Sequence, residues 1–358
     1  MSRTNRWLHK GRHGMFTLIT LFLIVGHVAA QATCPSLVEA ALDGLDTHCT
    51  NLGRNQACYG NVSLEATPQA DAANFTFEKV GDIADVTDIQ SLKLQPMDET
   101  SGTWGVVMMQ LQADIPDSLP GQNVTFILFG NVEIENASSG GQTPMQAFTL
   151  KTGISDAGCE EAPESGVMIQ TPDGVESVSF NVNGVDMEIG STVMLQAEPE
   201  GDMTIATMEG AAVMEMEGES YAVICGTELT IPMDAEMKPR SAPSMPIALR
   251  TSRMGDQMAF RSLPRPLEEI EVITDAKMRV LEARLKLGLA PCGVGPLRAC
   301  ENALRDIGSR VWANEGSFGL PTAPDILPRP SGNGGSPTVQ TPTSVPGGNG
   351  GRARPGKP

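Results

Sequence analysis

The sequence has few of the side chains on which most enzyme mechanisms depend. It contains four histidines, and His48 is the only one after residue 27. A Ser-His-Asp triad would have to use His48, and a zinc or copper site with several histidine ligands is excluded by number. His48 lies beside Cys49 at the end of a short predicted helix, so we expect a capping or surface role for it.

Aromatic residues and paired catalytic carboxylates are also scarce. Aromatic residues make up 4% of the chain, whereas sugar clefts are usually lined with aromatic rings. Glu215, Glu217 and Glu219 alternate along a strand and its turn, which predicts a water-facing row and not the paired carboxylates of a glycosidase. A secreted carboxylate-dependent polysaccharide hydrolase is therefore only an alternative hypothesis.

Basic residues are outnumbered by acidic ones. The chain has 25 lysines and arginines against 43 aspartates and glutamates, a net charge of −18, and most acids lie between residues 33 and 240. An acidic surface of this kind repels phosphate backbones, so we expect no nucleic-acid partner.

The sequence has one long apolar run, from Met15 to Ala30. It is shorter than the ~20 residues of a spanning helix, and it precedes the small-residue triplet Ala30-Gln31-Ala32. Four basic residues come before it: Arg3, Arg6, Lys10 and Arg12. This pattern predicts a signal peptide over 1–32 with cleavage after Ala32, and no membrane span after it.

All seven cysteines follow the predicted cleavage point, where disulfides persist. An odd number leaves at least one unpaired or bonded elsewhere. Cys292 and Cys300 enclose a short loop with glycine and proline, so we expect them to form a local disulfide. The other pairings remain open. The absence of any Cys-x-x-Cys pair weakens zinc-ribbon and thioredoxin-type interpretations.

Residues 175–232 read as short strands separated by glycine turns. Val178, Phe180 and Val182 alternate with polar residues, and Asn183-Gly184 then favours a tight hairpin turn. Further turns are predicted at Gly190-Ser191, Glu209-Gly210, Glu217-Gly218 and Gly226-Thr227. About seven strands of this length indicate a compact antiparallel sandwich or barrel.

This pattern of turns resembles the FecR protein domain over roughly residues 165–236. The residues that carry the resemblance are Asn183, Gly184, Val185, Gly190, Ser191, Thr192, Met208, Glu209, Gly210, Gly226, Thr227, Ile231 and Pro232. The resemblance implies a domain outside the cytoplasmic membrane and supplies no catalytic residues. Founding members of the family relay an outer-membrane signal to a cytoplasmic segment, but the 14 residues before Met15 are too few for such a segment.

The remaining sequence divides by composition. Predicted strands between residues 74 and 150 indicate an earlier β region, whereas six prolines between 237 and 266 indicate a linker with little reason to pack. Residues 54–61 are polar and read as a tether, not a strand. The segments are a cysteine-containing helical cap (33–62), an N-terminal β domain (63–155), a FecR-like domain (165–236), a linker (237–266), a helical segment (267–312) and a disordered tail (313–358).

Three further groups of residues could bind a ligand or accept a modification. Asp82, Asp85 and Asp88 lie three apart and could offer oxygens to calcium, but they lack the glycine and terminal glutamate of an EF-hand loop, so a solvated turn is the favoured interpretation. Six methionines between 187 and 216 could bind copper(I), but their alternating positions favour core packing. Asn61, Asn74, Asn123 and Asn136 each begin an Asn-x-Ser/Thr triplet.

The sequence as a whole predicts a mainly β protein with two small antiparallel β domains and a short C-terminal helical segment. We expect an exported, non-enzymatic protein without a cofactor, which binds or scaffolds another envelope or extracellular macromolecule. Envelope signalling of the FecR type is the alternative that the family resemblance suggests.

Overall fold

The computed structural model describes residues 33–112, 122–153 and 159–286, apart from 176, 218, 256–257, 268–269 and 271. Within these ranges the protein is mainly β, as predicted. The predicted signal peptide, the Cys292–Cys300 loop, the rest of the predicted helical segment after residue 286 and the tail lie outside the described residues.

Fifteen strands and two α-helices form the described fold, with three short 3₁₀ helices. The helices are α1 (Cys34–His48) and α2 (Asp275–Lys286). The strands are β1 (Gln56–Asn61), β2 (Leu64–Pro68), β3 (Ile83–Asp85), β4 (Ile89–Leu94), β5 (Val106–Leu111), β6 (Val124–Phe129), β7 (Val132–Asn136), β8 (Ala147–Thr152), β9 (Gly166–Gln170), β10 (Val178–Val182), β11 (Val185–Ala197), β12 (Asp202–Met216), β13 (Glu219–Ile224), β14 (Thr227–Pro232) and β15 (Ile247–Ala248).

The strands form one curled sheet with two halves that meet on the long β11–β12 hairpin. The front half has the order β2-β4-β7-β8-β10, and β10 pairs with residues 185–189 of β11. The back half has the order β3-β1-β5-β6-β9, and β9 pairs with residues 192–195 of β11. On the far side of β12, β13 extends the front half, whereas β14 and β15 extend the back half.

Three of the predicted turns are in fact one bend across neighbouring strands. Ser191 pairs with Gly210 inside the hairpin, and the register shifts immediately after Thr192. Gly210 has a φ of 73°, and its carbonyl accepts a hydrogen bond from the backbone N–H of Cys225. The turns predicted at Gly190-Ser191, Glu209-Gly210 and Gly226-Thr227 are therefore wrong as chain reversals. These residues lie along the line where the sheet bends from its front half to its back half. The register shift after Thr192 is a bulge, and a bulge twists and bends the strand that contains it.

Two apolar cores lie on the two faces of the back half. The first core fills the space between the halves, where the Phe126 ring lies 5.8 Å from that of Phe148 and 5.5 Å from that of Phe180. The second core covers the outer face of the back half beneath α1 and residues 249–270. The molecule is therefore layered, with front half, back half and outer cover in sequence.

The segment predicted as a loosely packed linker forms part of this outer cover. Its apolar residues are buried against the back half: Leu249, Met254, Phe260 and Leu263. The carboxylate of Glu228, which is inaccessible to solvent, binds the side chain and backbone N–H of Arg250. The linker prediction was wrong because proline content suggested an extended chain, whereas the spaced apolar residues between the prolines cover the sheet.

The two predicted β domains share a single sheet. β6 pairs antiparallel with β9, and β8 pairs parallel with β10, so hydrogen bonds cross the expected boundary near residue 160. The first core likewise contains residues from both regions. This boundary is therefore not a break in the sheet.

Three local predictions also differ from the structure. Residues 56–61 form β1, because Cys58 packs into the second core and Tyr59 into the first, and burial on both faces removes the usual alternation. Residues 75–80, predicted as a strand, are irregular. The helix predicted from residue 267 begins at Asp275, since Ile270 and Ile273 are buried in a non-helical segment before it.

The predicted hairpin at Asn183-Gly184 is confirmed, and its asparagine has a second role. Asn183 and Gly184 have φ angles of 54° and 78°, the conformation that a two-residue turn of this type requires. The buried carboxamide of Asn183 accepts a hydrogen bond from the N–H of Leu150 at 2.8 Å and donates one to its carbonyl at 3.0 Å. The turn is therefore fixed to β8.

We expect Asn183→Gly to lower the free energy of unfolding by about 2–3 kcal/mol, because two buried backbone groups of Leu150 lose their partner. Glycine keeps the positive φ, so backbone strain does not contribute. Asn74→Gly is the matched control, since Asn74 is exposed with a φ of 65° and its replacement should cost little. Urea denaturation measures both, and equal losses would contradict the role of the carboxamide.

The shared sheet and core predict a single cooperative unfolding transition for the described body. Phe126→Ala should lower the stability of that whole transition by about 3–5 kcal/mol, because Phe126 packs against rings from the front half. Calorimetry tests this. Two transitions, only one of which responds to the substitution, would instead indicate two independent domains.

Candidate binding groove

A row of polar side chains crosses the back half at one end of the second core. Gln110 on β5 is opposite Thr125 on β6, which is opposite Gln170 on β9, and the row continues to Thr192 on β11 and Glu209 on β12. These five residues, which we call the polar row, lie on the face that carries the second core. Polar side chains at successive cross-strand positions can hydrogen-bond to one another.

Hydrogen bonds hold the polar row in place. Gln110 donates to the hydroxyl of Thr125 at 3.2 Å, and Gln170 donates to the hydroxyl of Thr192 at 3.1 Å. The Thr192 hydroxyl donates to the carboxylate of Glu209 at 3.3 Å. Thr125, Gln170 and Thr192 are buried, so the row is fixed before any ligand arrives.

Arg265, from the outer cover, closes one end of the row. Its backbone N–H donates to the side-chain oxygen of Gln170 at 2.9 Å, and its carbonyl accepts from the side-chain nitrogen at 2.8 Å. The guanidinium binds Glu209 and Asp173, each at 2.7 Å. Burial alone would lower the pKa of Arg265, but the hydrogen bonds and charges of Glu209 and then Asp173 raise the pKa. The cation is thus offset by two carboxylates.

An open groove of about 400 Å³ lies over this end of the polar row. Its walls combine four carboxamides with two threonines, two prolines, one aspartate and one arginine. The lining residues are Gln110, Gln122, Asn123, Thr125, Gln170, Thr171, Pro172, Asp173, Pro264 and Arg265. No serine, cysteine, lysine or histidine is among these lining residues. The carboxamides and threonine hydroxyls among these residues can donate and accept hydrogen bonds in fixed directions.

Asn123 is the least satisfied member of the groove. Its side-chain oxygen is buried and has no hydrogen-bond partner among the residues that the structure describes. A buried acceptor without a donor costs roughly 1–3 kcal/mol, so such groups are rare in native proteins. A donor that reached the oxygen of Asn123 would therefore remove this cost.

The three aspartates considered for calcium do not converge. Asp82 accepts hydrogen bonds from the backbone N–H groups of Glu78 and Lys79 at 3.0 and 3.1 Å, Asp85 lies in β3, and Asp88 lies in a 3₁₀ helix. In the described part of the chain, their carboxylate oxygens do not form a group within 4.8 Å of one another. The turn interpretation accounts for Asp82 directly.

Two disulfides link the helical cap to the sheet. Cys49 and Cys58 join the end of α1 to β1, and Cys34 and Cys159 join the start of α1 to the segment before β9, with Cα atoms 5.7 Å apart in each pair. A carboxylate oxygen of Glu161 lies within 3.7 Å of both sulfurs of the second pair. This is the one cluster of metal-ligand type in the described residues, and the disulfide gives it a structural role.

The other residues chosen from the sequence have mainly architectural positions. Asn183, Gly184 and Val185 form the hairpin, whereas Gly190, Ser191, Thr192, Gly210 and Gly226 lie along the bend. Of these, Thr192 also belongs to the polar row. Trp104 and the methionines 187, 194, 203, 208 and 214 are buried in the two cores.

Sequence reasoning missed the groove. Gln110, Thr125 and Gln170 are single polar residues within largely apolar strands, and nothing in the local sequence indicates that they come together. The available signal was the recurrence of an amide or hydroxyl side chain at the same end of successive strands. That recurrence becomes visible only when the register of the strands is known.

No protein-family model, curated protein or solved structure matches this chain. Among the described residues, no helix has the length and apolar character needed to cross a membrane.

The two disulfides should differ in their contribution to stability. In the loop-entropy description, Cys34→Ser/Cys159→Ser removes a link across 125 residues and should cost about 5 kcal/mol. Cys49→Ser/Cys58→Ser removes a link across 9 residues and should cost about 2.5 kcal/mol. Denaturation of the two double variants measures this difference, after non-reducing peptide mapping of the parent confirms both pairs. A larger loss from the short link would contradict the expectation.

Proposed function

We propose that the protein is an exported, non-enzymatic binding protein whose groove holds part of another envelope or extracellular macromolecule. The observation that carries this proposal is the groove itself, which four carboxamides line, one of them Asn123 with a buried oxygen that has no partner among the described residues. Directional polar groups fixed in advance reduce the entropy lost on binding.

The disulfides and the first helix support the proposal of export. Both disulfides lie within the fold, and such bonds persist in oxidising compartments. α1 begins at Cys34, and the backbone N–H of Thr33 donates to the hydroxyl of Ser36 at 3.0 Å. Cleavage after Ala32 would leave this helix start intact.

The FecR-like interpretation of residues 165–236 supports a scaffolding role for this region. Strands β9 to β14 lie where the two halves of the sheet meet, and the residues of the resemblance set the hairpin and the bend. We propose that the region serves as the rigid frame that presents the groove, in keeping with a family that supplies no catalytic residues.

Export predicts a defined N-terminus. Protein recovered from outside the cytoplasm of its natural host should begin at Thr33, as measured by mass spectrometry of the intact chain. Replacing both Ala30 and Ala32 with leucine should block cleavage, because small residues are required at those positions. An exported protein that retains Met1 would contradict the signal-peptide interpretation.

Binding through the groove predicts site-specific cross-linking. A photo-reactive amino acid at Gln122, on the groove wall, should form an adduct with the partner in the native envelope. The same amino acid at Glu65, exposed on β2 of the front half, is the control. Equal labelling from both positions, or none from Gln122, would contradict a partner in the groove.

A further inference from the structure

The groove has side chains suited to one particular kind of hydrogen-bonding group. A carboxamide has one carbonyl and one NH₂, so it can pair with the N–H and C=O of a peptide backbone through two hydrogen bonds. Hydroxyl groups, phosphates and carboxylates do not present this fixed donor and acceptor pair.

The protein already uses this pairing twice within its own fold. Gln170 binds the N–H and C=O of Arg265 at 2.9 and 2.8 Å, and Asn183 binds those of Leu150 at 2.8 and 3.0 Å. In the first case the bound backbone is a non-helical segment that lies over the polar row. Residues 264–265 are therefore an internal example of a peptide held at the groove.

Two further carboxamides line the groove beyond the place that this internal peptide occupies. Gln110 and Asn123 line the groove on the side of β5 and β6, and the Asn123 oxygen lacks a donor among the described residues. A backbone N–H from a second peptide would supply that donor. The hydrogen bond would be made where solvent has little access, which raises its worth.

Charge disfavours anionic ligands at the same place. The guanidinium of Arg265 is bound by Glu209 and Asp173, so the groove offers no uncompensated cation to a phosphate or carboxylate. The whole chain has a net charge of −18, which repels polyanions over a longer range. An anionic ligand is therefore disfavoured.

The surrounding sheet excludes recognition by strand addition. β5 pairs with β1 and β6, β6 pairs with β5 and β9, and β9 pairs with β6 and β11. None of these three strands has an open edge here, so side chains must do the recognition. Pro172 and Pro264 add apolar walls that can contact aliphatic or proline side chains.

We propose that the groove binds a short, extended segment of another protein, one without acidic side chains, through the carboxamides of Asn123 and Gln110. This inference rests on the binding function proposed above and names its ligand class. A volume of about 400 Å³ lies near the lower end of ligand pockets, so the segment in contact is only a few residues long.

The test measures binding of two uncharged probe sets to the full exported chain. One is a mixture of N-acetylated, C-amidated octapeptides built only from uncharged residues, and the other is a mixture of neutral oligosaccharides. Competition for a labelled probe, followed by fluorescence anisotropy, gives the affinities. The peptides should bind, and the oligosaccharides should not.

Asn123→Ala and Gln110→Ala should each weaken peptide binding by roughly three- to tenfold, the effect of one lost hydrogen bond. Gln90→Ala is the matched control, because Gln90 is a carboxamide on β4 of the front half and its loss should leave the affinity unchanged. Circular dichroism confirms folding. Gln110 is only partly buried, so its variant carries the test if Asn123→Ala fails to fold.

The outcomes separate this inference from the broader function. Binding of oligosaccharides that both variants weaken would overturn the peptide inference and leave the binding function in place. Peptide binding that neither variant alters would place the site elsewhere and overturn it as well. Failure of both probe sets would overturn the inference. The binding function would be overturned only if, in addition, the cross-link at Gln122 were absent or no stronger than that at Glu65.

Discussion

The long β11–β12 hairpin is the element on which both halves of the sheet depend. Each of its strands hydrogen-bonds to front-half strands at one end and to back-half strands at the other. A straight hairpin of this length would hold the two halves in one open sheet. The shift after Thr192 and the positive φ of Gly210 bend it, and the bend encloses the first core between the halves.

The same bend places the polar row. Thr192 and Glu209 are paired immediately beside the register shift, so Thr192 directs its hydroxyl to Gln170 and to Glu209 on the outer face. Glu209 then reaches the guanidinium of Arg265 in the outer cover. The groove thus combines a rigid floor from the sheet with a wall from a segment that has little regular structure, and one ion pair connects the two.

Local patterns predicted part of this fold. Apolar runs between turn residues predicted strands between residues 74 and 150, where β4 to β8 lie, and alternation with a strict two-residue turn predicted the β10–β11 hairpin. The glycines at 190, 210 and 226 predict turns, whereas in the structure they lie along a bend. At Gly210 and Gly226 a turn and a bend use the same positive φ, so the sequence does not distinguish the two. The outer cover and the groove could not be predicted, because they depend on contacts between residues far apart in sequence, such as Gln170 and Arg265.

The pairing of Cys34 with Cys159 has a consequence for how the protein acquires its covalent structure. In a chain that crosses a membrane from its N-terminus, Cys34 emerges first, and Cys49 and Cys58 emerge long before Cys159. Oxidation in order of appearance would join Cys34 to Cys49, a pairing that the native structure does not contain. Correct pairing then requires either that oxidation is delayed or that the first bond is exchanged through a mixed disulfide. The yield of native protein should therefore depend on a thiol isomerase in the compartment that receives the chain.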